Sequence, residues 1–315
     1  MSQTVSPVSH RPYGLAAVCR VWRIARSGVY RLQAPAPSMP PRRRGPSGVM
    51  PDAGLLAAIR DVLAASPFHG EGHRKVWARL RHQGIRTSRQ RVLRLMRENG
   101  LLAPTRAGSP RGPRAHDGAI IPDKVDMMWG TDLTTAYTGE GPAAVFIAVD
   151  HCSAECVGIH PSSGIPTDRS RSAGTFASFA HGRATRFEAL EPIRQGMRQH
   201  FGGFAKGIAR GLAVRHDHGS QYMSGHFQAE LAFLGIDSSP AFVRAPEGNG
   251  CAERFIRTLK ENLLWIHTFE TIEALRRALL TFRETYNATW LIERHGFLSP
   301  TEYRQKQLQS LAAAA

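Results

Sequence analysis

Two stretches rich in proline, glycine and arginine decide how this chain can fold. APAPSMPPRRRGPSG occupies residues 34–48 and APTRAGSPRGPRAH residues 103–116. Neither can sustain a helix or a strand, so no single hydrophobic core runs through them. The chain therefore reads as separate segments. A basic N-terminal helical segment and linker covers 1–50, a small helical module 51–104 and a second linker 105–118. The main α/β region covers 119–290 and a C-terminal tail 291–315. A length of 315 residues suits about two domains of ordinary size.

The apolar periodicity changes at the second linker. In 51–104 it is helical. LLAAIRDVLAAS places Leu55, Leu56, Ile59, Val62 and Leu63 at helical spacing, and RKVWARLRHQG is a second helix stopped by Gly84. TSRQRVLRLMRENG is a third, with Thr87 and Gln90 spaced as a capping box and Gly100 as the stop. Residues 15–32 suggest a further short helical unit. From about 120 the pattern becomes strand-like. MMWGTDLTTAY, AAVFIAVDH and AECVGIH read as three strands, FEALEPIRQGMRQHFG as a helix, LAVRHD as a strand, FQAELAFLG as a helix and IDSSP as a strand. GCAERFIRTLKENLLWIH and TIEALRRALLTFRETYN are amphipathic helices. Three sequential strands followed by alternating units predict a mixed five-stranded sheet with helices on both faces.

Charge follows the same division. The formal net charge is +16, and residues 1–116 alone carry +17, with 21 Lys and Arg against 4 Asp and Glu. Such a segment attracts a polyanion, because each phosphate contact releases a condensed counterion. Arg89, Arg91, Arg94 and Arg97 stud the third helix away from its apolar side, as a helix lying on DNA requires. Arg42, Arg43 and Arg44 form a basic cluster in the first linker. No apolar run is long enough to span a membrane and no secretory signal precedes the first segment. Four cysteines without a C-x-x-C pair suggest neither a disulfide framework nor a zinc site, so a cytoplasmic setting is expected.

Three carboxylates occupy suggestive places. Asp132 falls in the first strand, Asp217 just past the fourth, and Glu253 on the helix after the fifth. Strand ends and a helix start can converge on one point of an α/β sheet. Clustered carboxylates repel unless a cation neutralises them, and hard oxygen ligands suit Mg²⁺ or Mn²⁺. Two such ions are suited to phosphoryl transfer. His216 and His218 flank Asp217 and suit a supporting or phosphate contact better than a transition-metal site. Cys251 reads as a small packing residue, and Trp129 and Trp265 as core or platform residues.

WGTDLT around Asp132, DHGSQY from Asp217 and NGCAERFIRTLKEN around Glu253 resemble the three motifs of DDE transposases and retroviral-type integrases. Asp217 and Glu253 have 35 residues between them, the spacing usual there. Residues 52–104 and YNATWLIERHGFLSPTEYR resemble the flanking parts of second-frame transposases of the insertion-sequence-3 family. The resemblance implies an RNase H-like core behind a helix-turn-helix-like DNA-binding module. It further implies metal-dependent DNA cleavage and strand transfer, with Asp132, Asp217 and Glu253 as ligands of two Mg²⁺ or Mn²⁺ ions. Lys260, and Arg257 one turn nearer Glu253, would then position DNA phosphates. The implied partners are the terminal inverted repeats of the element, target DNA, further copies of the chain on that DNA, and an upstream-frame protein or fusion. An RNase H-like nuclease that cuts without joining, and a remnant that binds DNA without cutting, are the competing readings.

One feature departs from the family. Asp132 and Asp217 have 84 residues between them, about twenty more than usual, and the excess falls in PSSGIPTDRSRSAGTFASFAHG, residues 161–182. Ser and Gly without periodicity read as an inserted surface loop. Deleting about 20 residues there is expected to leave a single cooperative thermal transition. Loss of cooperativity in the melt would show that the segment belongs to the fold.

Overall fold

The computed structural model describes residues 3–33, 50–104, 120–164, 187–241 and 246–314. These group into two compact units, Met1–Val49 and Met50–Ala315. Arg42, Arg43, Arg44 and most of 161–182 lie outside the described residues. The first unit holds two short helices, α1 (Gly14–Val21) and α2 (Arg26–Gln33), with Cys19 buried.

The second unit begins with three helices, α3 (Asp52–Ala65), α4 (His73–His82) and α5 (Arg89–Glu98). Leu55, Ile59, Val62, Val76, Leu80, Val92, Leu95 and Met96 fill their shared core. Gly84 and Gly100 stop α4 and α5 with positive φ (81° and 66°), where a side chain would be strained. The N-cap of α5 is Ser88, not Thr87: its Oγ accepts from the Arg91 N–H at 3.2 Å. The Thr87 carbonyl accepts from Trp77 Nε1 at 2.9 Å.

A five-stranded sheet follows, in the order β3-β2-β1-β4-β5. Strands β1 (Met128–Thr138), β2 (Gly141–Asp150) and β3 (Cys156–Ser163) are antiparallel neighbours. Strands β4 (Ala213–His216) and β5 (Asp237–Pro240) add in parallel to β1. This is the mixed, RNase H-like arrangement, with the helical module ahead of it. The alternation of β2 serves two cores. Val145, Ile147 and Val149 face α8 (Gly250–Leu259) and α9 (Ile272–Thr289). Ala144, Phe146 and Ala148 face α6 (Glu191–Gly196) and α7 (Gly225–Leu234). Trp129 lies on this second face, fully buried, and its indole packs where a Cβ on Gly196 would sit.

Side chains close the β3 edge. Asn287 accepts from the Cys156 N–H at 2.9 Å and donates to its carbonyl at 3.0 Å. Gln195 does the same for Ile159, at 3.0 Å each way. Arg283 Nε adds a third donor, to the Cys156 carbonyl.

The helical module rests directly on this layer. Phe68 joins the α8–α9 core and meets Trp290 edge-on at 4.7 Å. The His69 N–H donates to Asn262 Oδ1 at 2.8 Å, and Lys75 Nζ lies over the Trp290 ring. Buried Glu71 takes both Arg79 nitrogens, at 2.7 and 2.9 Å, and Arg79 continues to the Thr289 carbonyl.

The last helix, α10 (Pro300–Ala314), carries Arg304 inward. With its side chain 7% exposed, Arg304 pairs with Asp126 and lies 3.3 Å from Glu155. Asp126 in turn accepts from Trp129 Nε1, so the C-terminal segment holds the start of β1. No helix among the described residues is long and apolar enough to cross a membrane.

Arg304→Ala should cost roughly 3 kcal/mol of stability, because it strands two acids in a buried place. Equilibrium unfolding in urea measures this, and a loss below about 1 kcal/mol, the level of an exposed pair, would refute it. Burial pushes Glu155 up to about 7, although Arg304 pulls it down. The folded chain then binds this proton more tightly than the unfolded one, so the stabilisation is full below about 4.5 and lost as pH rises to about 7. Glu155→Gln should therefore gain stability relative to the parent between about pH 5 and pH 7. A difference between the two that is flat with pH would exclude the assignment.

Candidate active site

Even-numbered residues of β1 face α8: Ala136 belongs to the core formed with Phe255 and Leu259. Asp132 has the same parity and so faces the same helix. The last β1–β4 pair is Gly130 with Arg215. Asp132 and Asp217 each lie two residues past it, so the register brings them to neighbouring positions on adjacent parallel strands. The helix α8 packs on β1 and β2, and Glu253 lies in its first turn. Two strands and one helix start thus bring the three acids to one side of the sheet.

The electrostatics agree. The carboxyl of Asp132 is raised to about 7, first by burial and then by the charges of Asp217 and Glu253. Lys260 acts in the opposite sense on the same group. Seven residues after Glu253 is nearly two helical turns, so Lys260 looks toward the acids. Local hydrogen bonds orient two of the carboxylates. The Leu133 N–H donates to Asp132 Oδ1 at 2.7 Å, and the Gly219 N–H to Asp217 Oδ1 at 2.8 Å. As placed, no group of three His, Cys, Asp or Glu side chains among the described residues is close enough to hold a metal ion.

Around the acids the fold is tightly specified. His216 is buried, and both ring nitrogens are engaged, Nδ1 with the Asp217 carbonyl at 2.6 Å and Nε2 with Ser238 Oγ at 2.9 Å. Burial lowers its pKa. It shapes the turn that carries Asp217 and has no ring nitrogen left for a metal. His218 is exposed. Tyr222 is fully buried near Asp132 and Asp217, and burial raises its pKa well above the ordinary value. Cys251 is buried and its thiol pKa is raised, as suits a packing residue. Trp265 is 69% exposed.

The basic residues divide. Arg91 and Arg94 converge on Asp52, at 2.8 and 2.5 Å, and tie α5 to α3. Arg89 lies over the rings of Trp77 and Phe297 and 3.7 Å from Glu293. Arg97 is exposed. Arg257 near the end of α8 is exposed and pairs with Glu261, just past the helix, at 3.1 Å.

Sequence reasoning missed Asn249, one turn before Glu253. It is buried, and its Nδ2 donates to the Thr131 carbonyl on β1 at 3.0 Å. Its position as an asparagine at a helix start, four residues before the acid, was the available signal.

An HTH-like domain family matches residues 51–108 and an integrase core domain family matches residues 234–290, which include Glu253. Transposase InsD for insertion element IS2D of Escherichia coli (strain K12) is 26% identical over 310 residues, 96% of this chain and 95% of that one. An Escherichia coli insertion element IS2A protein of 48.2 kDa is 26% identical over 305 residues, 95% of this chain; the match spans 66% of its length. Among solved structures, the catalytic core domain of BIV integrase aligns at 18% identity and a TM-score of 0.37, covering 59% of this chain and 99% of that one. The HTLV-2 integrase catalytic core domain, solved in complex with magnesium, aligns at 16% identity and a TM-score of 0.37 with the same coverage. The chain thus carries an HTH-like domain and an integrase core domain, and its homologues over nearly its full length are the InsD transposases of the insertion-sequence-3 family.

Proposed function

We propose that the chain is a transposase that cleaves DNA at the ends of its element and joins them to new DNA by DDE chemistry. The observation that carries this reading is the convergence of Asp132, Asp217 and Glu253, on a chain homologous to transposases throughout. The donor set fits a hard divalent cation, being all carboxylate oxygen. Asp132, whose charge is disfavoured by burial and by the other two acids, is the kind of group such a cation relieves.

Asp132, Asp217 and Glu253 would hold Mg²⁺ or Mn²⁺, two ions in the full site. The ions would supply activation of a water or 3′-hydroxyl and stabilisation of the leaving oxygen. The chain's own groups do the positioning. Leu133 and Gly219 N–H groups hold two carboxylates in place, and α8 carries the third. Lys260, on the same side, would bind a phosphate of the scissile strand, and Arg257 a flanking one. No side chain need form a covalent bond with DNA.

The basic first third of the chain, helical module and linkers together, supplies the grip on the element's ends, the net charge of +17 over residues 1–116 being its attraction for phosphate. Arg97 is the freest of its predicted contacts. Arg89, Arg91 and Arg94 would have to leave the partners described above, and Arg42, Arg43 and Arg44 would add a basic clamp. Joining two ends calls for at least two copies on the DNA. An upstream-frame protein or fusion would complete end recognition, and the work would be done on cytoplasmic DNA.

With the DNA flanking its gene as substrate, the protein should give end cleavage and joined products only with Mg²⁺ or Mn²⁺. Glu253→Gln should lose about a hundredfold or more in rate, the scale on which one electrostatic partner of a transition state is felt. Its DNA affinity should stay near that of the parent. Nicking without joined products would favour a nuclease, and binding without nicking a remnant.

A further inference from the structure

We infer that Asn249 is a positioning residue that sets where Glu253 stands relative to Asp132, by pinning the start of α8 to β1. The inference rests on the reading of those two acids as partners in one site.

Asn249 occupies the N-cap of α8, where an asparagine ordinarily turns its side chain onto the free N–H groups of its own helix. Here it makes no such bond. Its amide reaches across 118 positions in sequence and donates to the Thr131 carbonyl. Thr131 lies one residue past the last β1–β4 pair, between Gly130 of that pair and Asp132. A local cap has been given up for a tertiary tie next to the first acid.

The neighbourhood is built for that tie. A Cβ on Gly130 would lie 2.5 Å from Asn249 Oδ1 and nearer still to His151 Nε2. Only glycine lets the amide and the imidazole press against β1 at this point. His151 is fully buried and held from its other nitrogen by the Ile120 carbonyl at 2.8 Å, so it backs the amide as a fixed wall. Residues four apart share a helix face, so fixing Asn249 against Thr131 fixes Glu253 one turn along, on the side facing Asp132. The amide touches neither acid, and acts on the site only through the place it gives the helix.

The test reads position directly. Asp132→Cys with Glu253→Cys gives a thiol pair whose capture by a short bis-maleimide reports how often the two positions come within reach. The native cysteines are buried, which keeps the background low. Into this pair are placed Asn249→Ala, which removes the amide and offers no capping group, and Asn249→Ser, which can cap α8 but is too short to reach Thr131. Cross-linking should slow at least tenfold in both, with thermal midpoints of the Ser variant near the parent. Recovery of the parental rate by Asn249→Ser would overturn the inference, since a helix-capping role would then suffice. So would an unchanged rate in Asn249→Ala. A parent chain that fails to cut DNA would count against the transposase reading alone, because the cross-linking rates decide this inference without it.

Discussion

A carboxylate set in the middle of a well-buried strand is the constraint around which this fold is arranged. Burying Asp132 is costly, and its place in the alternation of β1, on the side of Ala136 and opposite Trp129 and Leu133, keeps it on the face that meets α8. The cost is met by geometry. β1 is the one strand with an antiparallel neighbour on one side and a parallel neighbour on the other, so the end of β4 delivers Asp217 beside it. The cap of α8 delivers Glu253 above it. Lys260 supplies opposite charge from the same helix. Side chains carried on a strand, a strand end and a helix start have little freedom to drift.

Much of this was legible in the sequence, for physical reasons. Periodicity is local, so the strands around Trp129, Phe146 and Ile159 and the helices around Val92, Phe255 and Leu279 could be read from short windows. The three acids were singled out by spacing and flanking motifs, which are one-dimensional features, and the register of β1 with β4 sets Asp132 and Asp217 near one another. The arginine-studded face of α5 misled in part, because Asp52, which engages Arg91 and Arg94, lies some forty residues away and carries no mark of that pairing. The cap of α5 falls on Ser88 and not Thr87, and two adjacent hydroxyl residues offer local pattern no way to choose between them.

The seat of the helical module on the sheet region was not legible at all. It depends on Phe68, Lys75 and Trp290 meeting, residues whose spacing says nothing about contact. The C-terminal segment looked like a tail, yet Arg304 reaches the acids that hold the start of β1. In both cases long-range burial gave a role to residues that local pattern leaves undetermined.

The amides of Asn287 and Gln195 along β3 have a consequence for assembly. An open sheet edge is an invitation to a neighbouring chain, which can add a strand and extend the sheet from molecule to molecule. Here the backbone groups of Cys156 and Ile159 are already spoken for by side chains that imitate a neighbouring strand. At these two residues the edge is closed within a single chain. A second copy finds no free ladder at Cys156 and Ile159, so a contact between copies at this stretch has to be made through side chains.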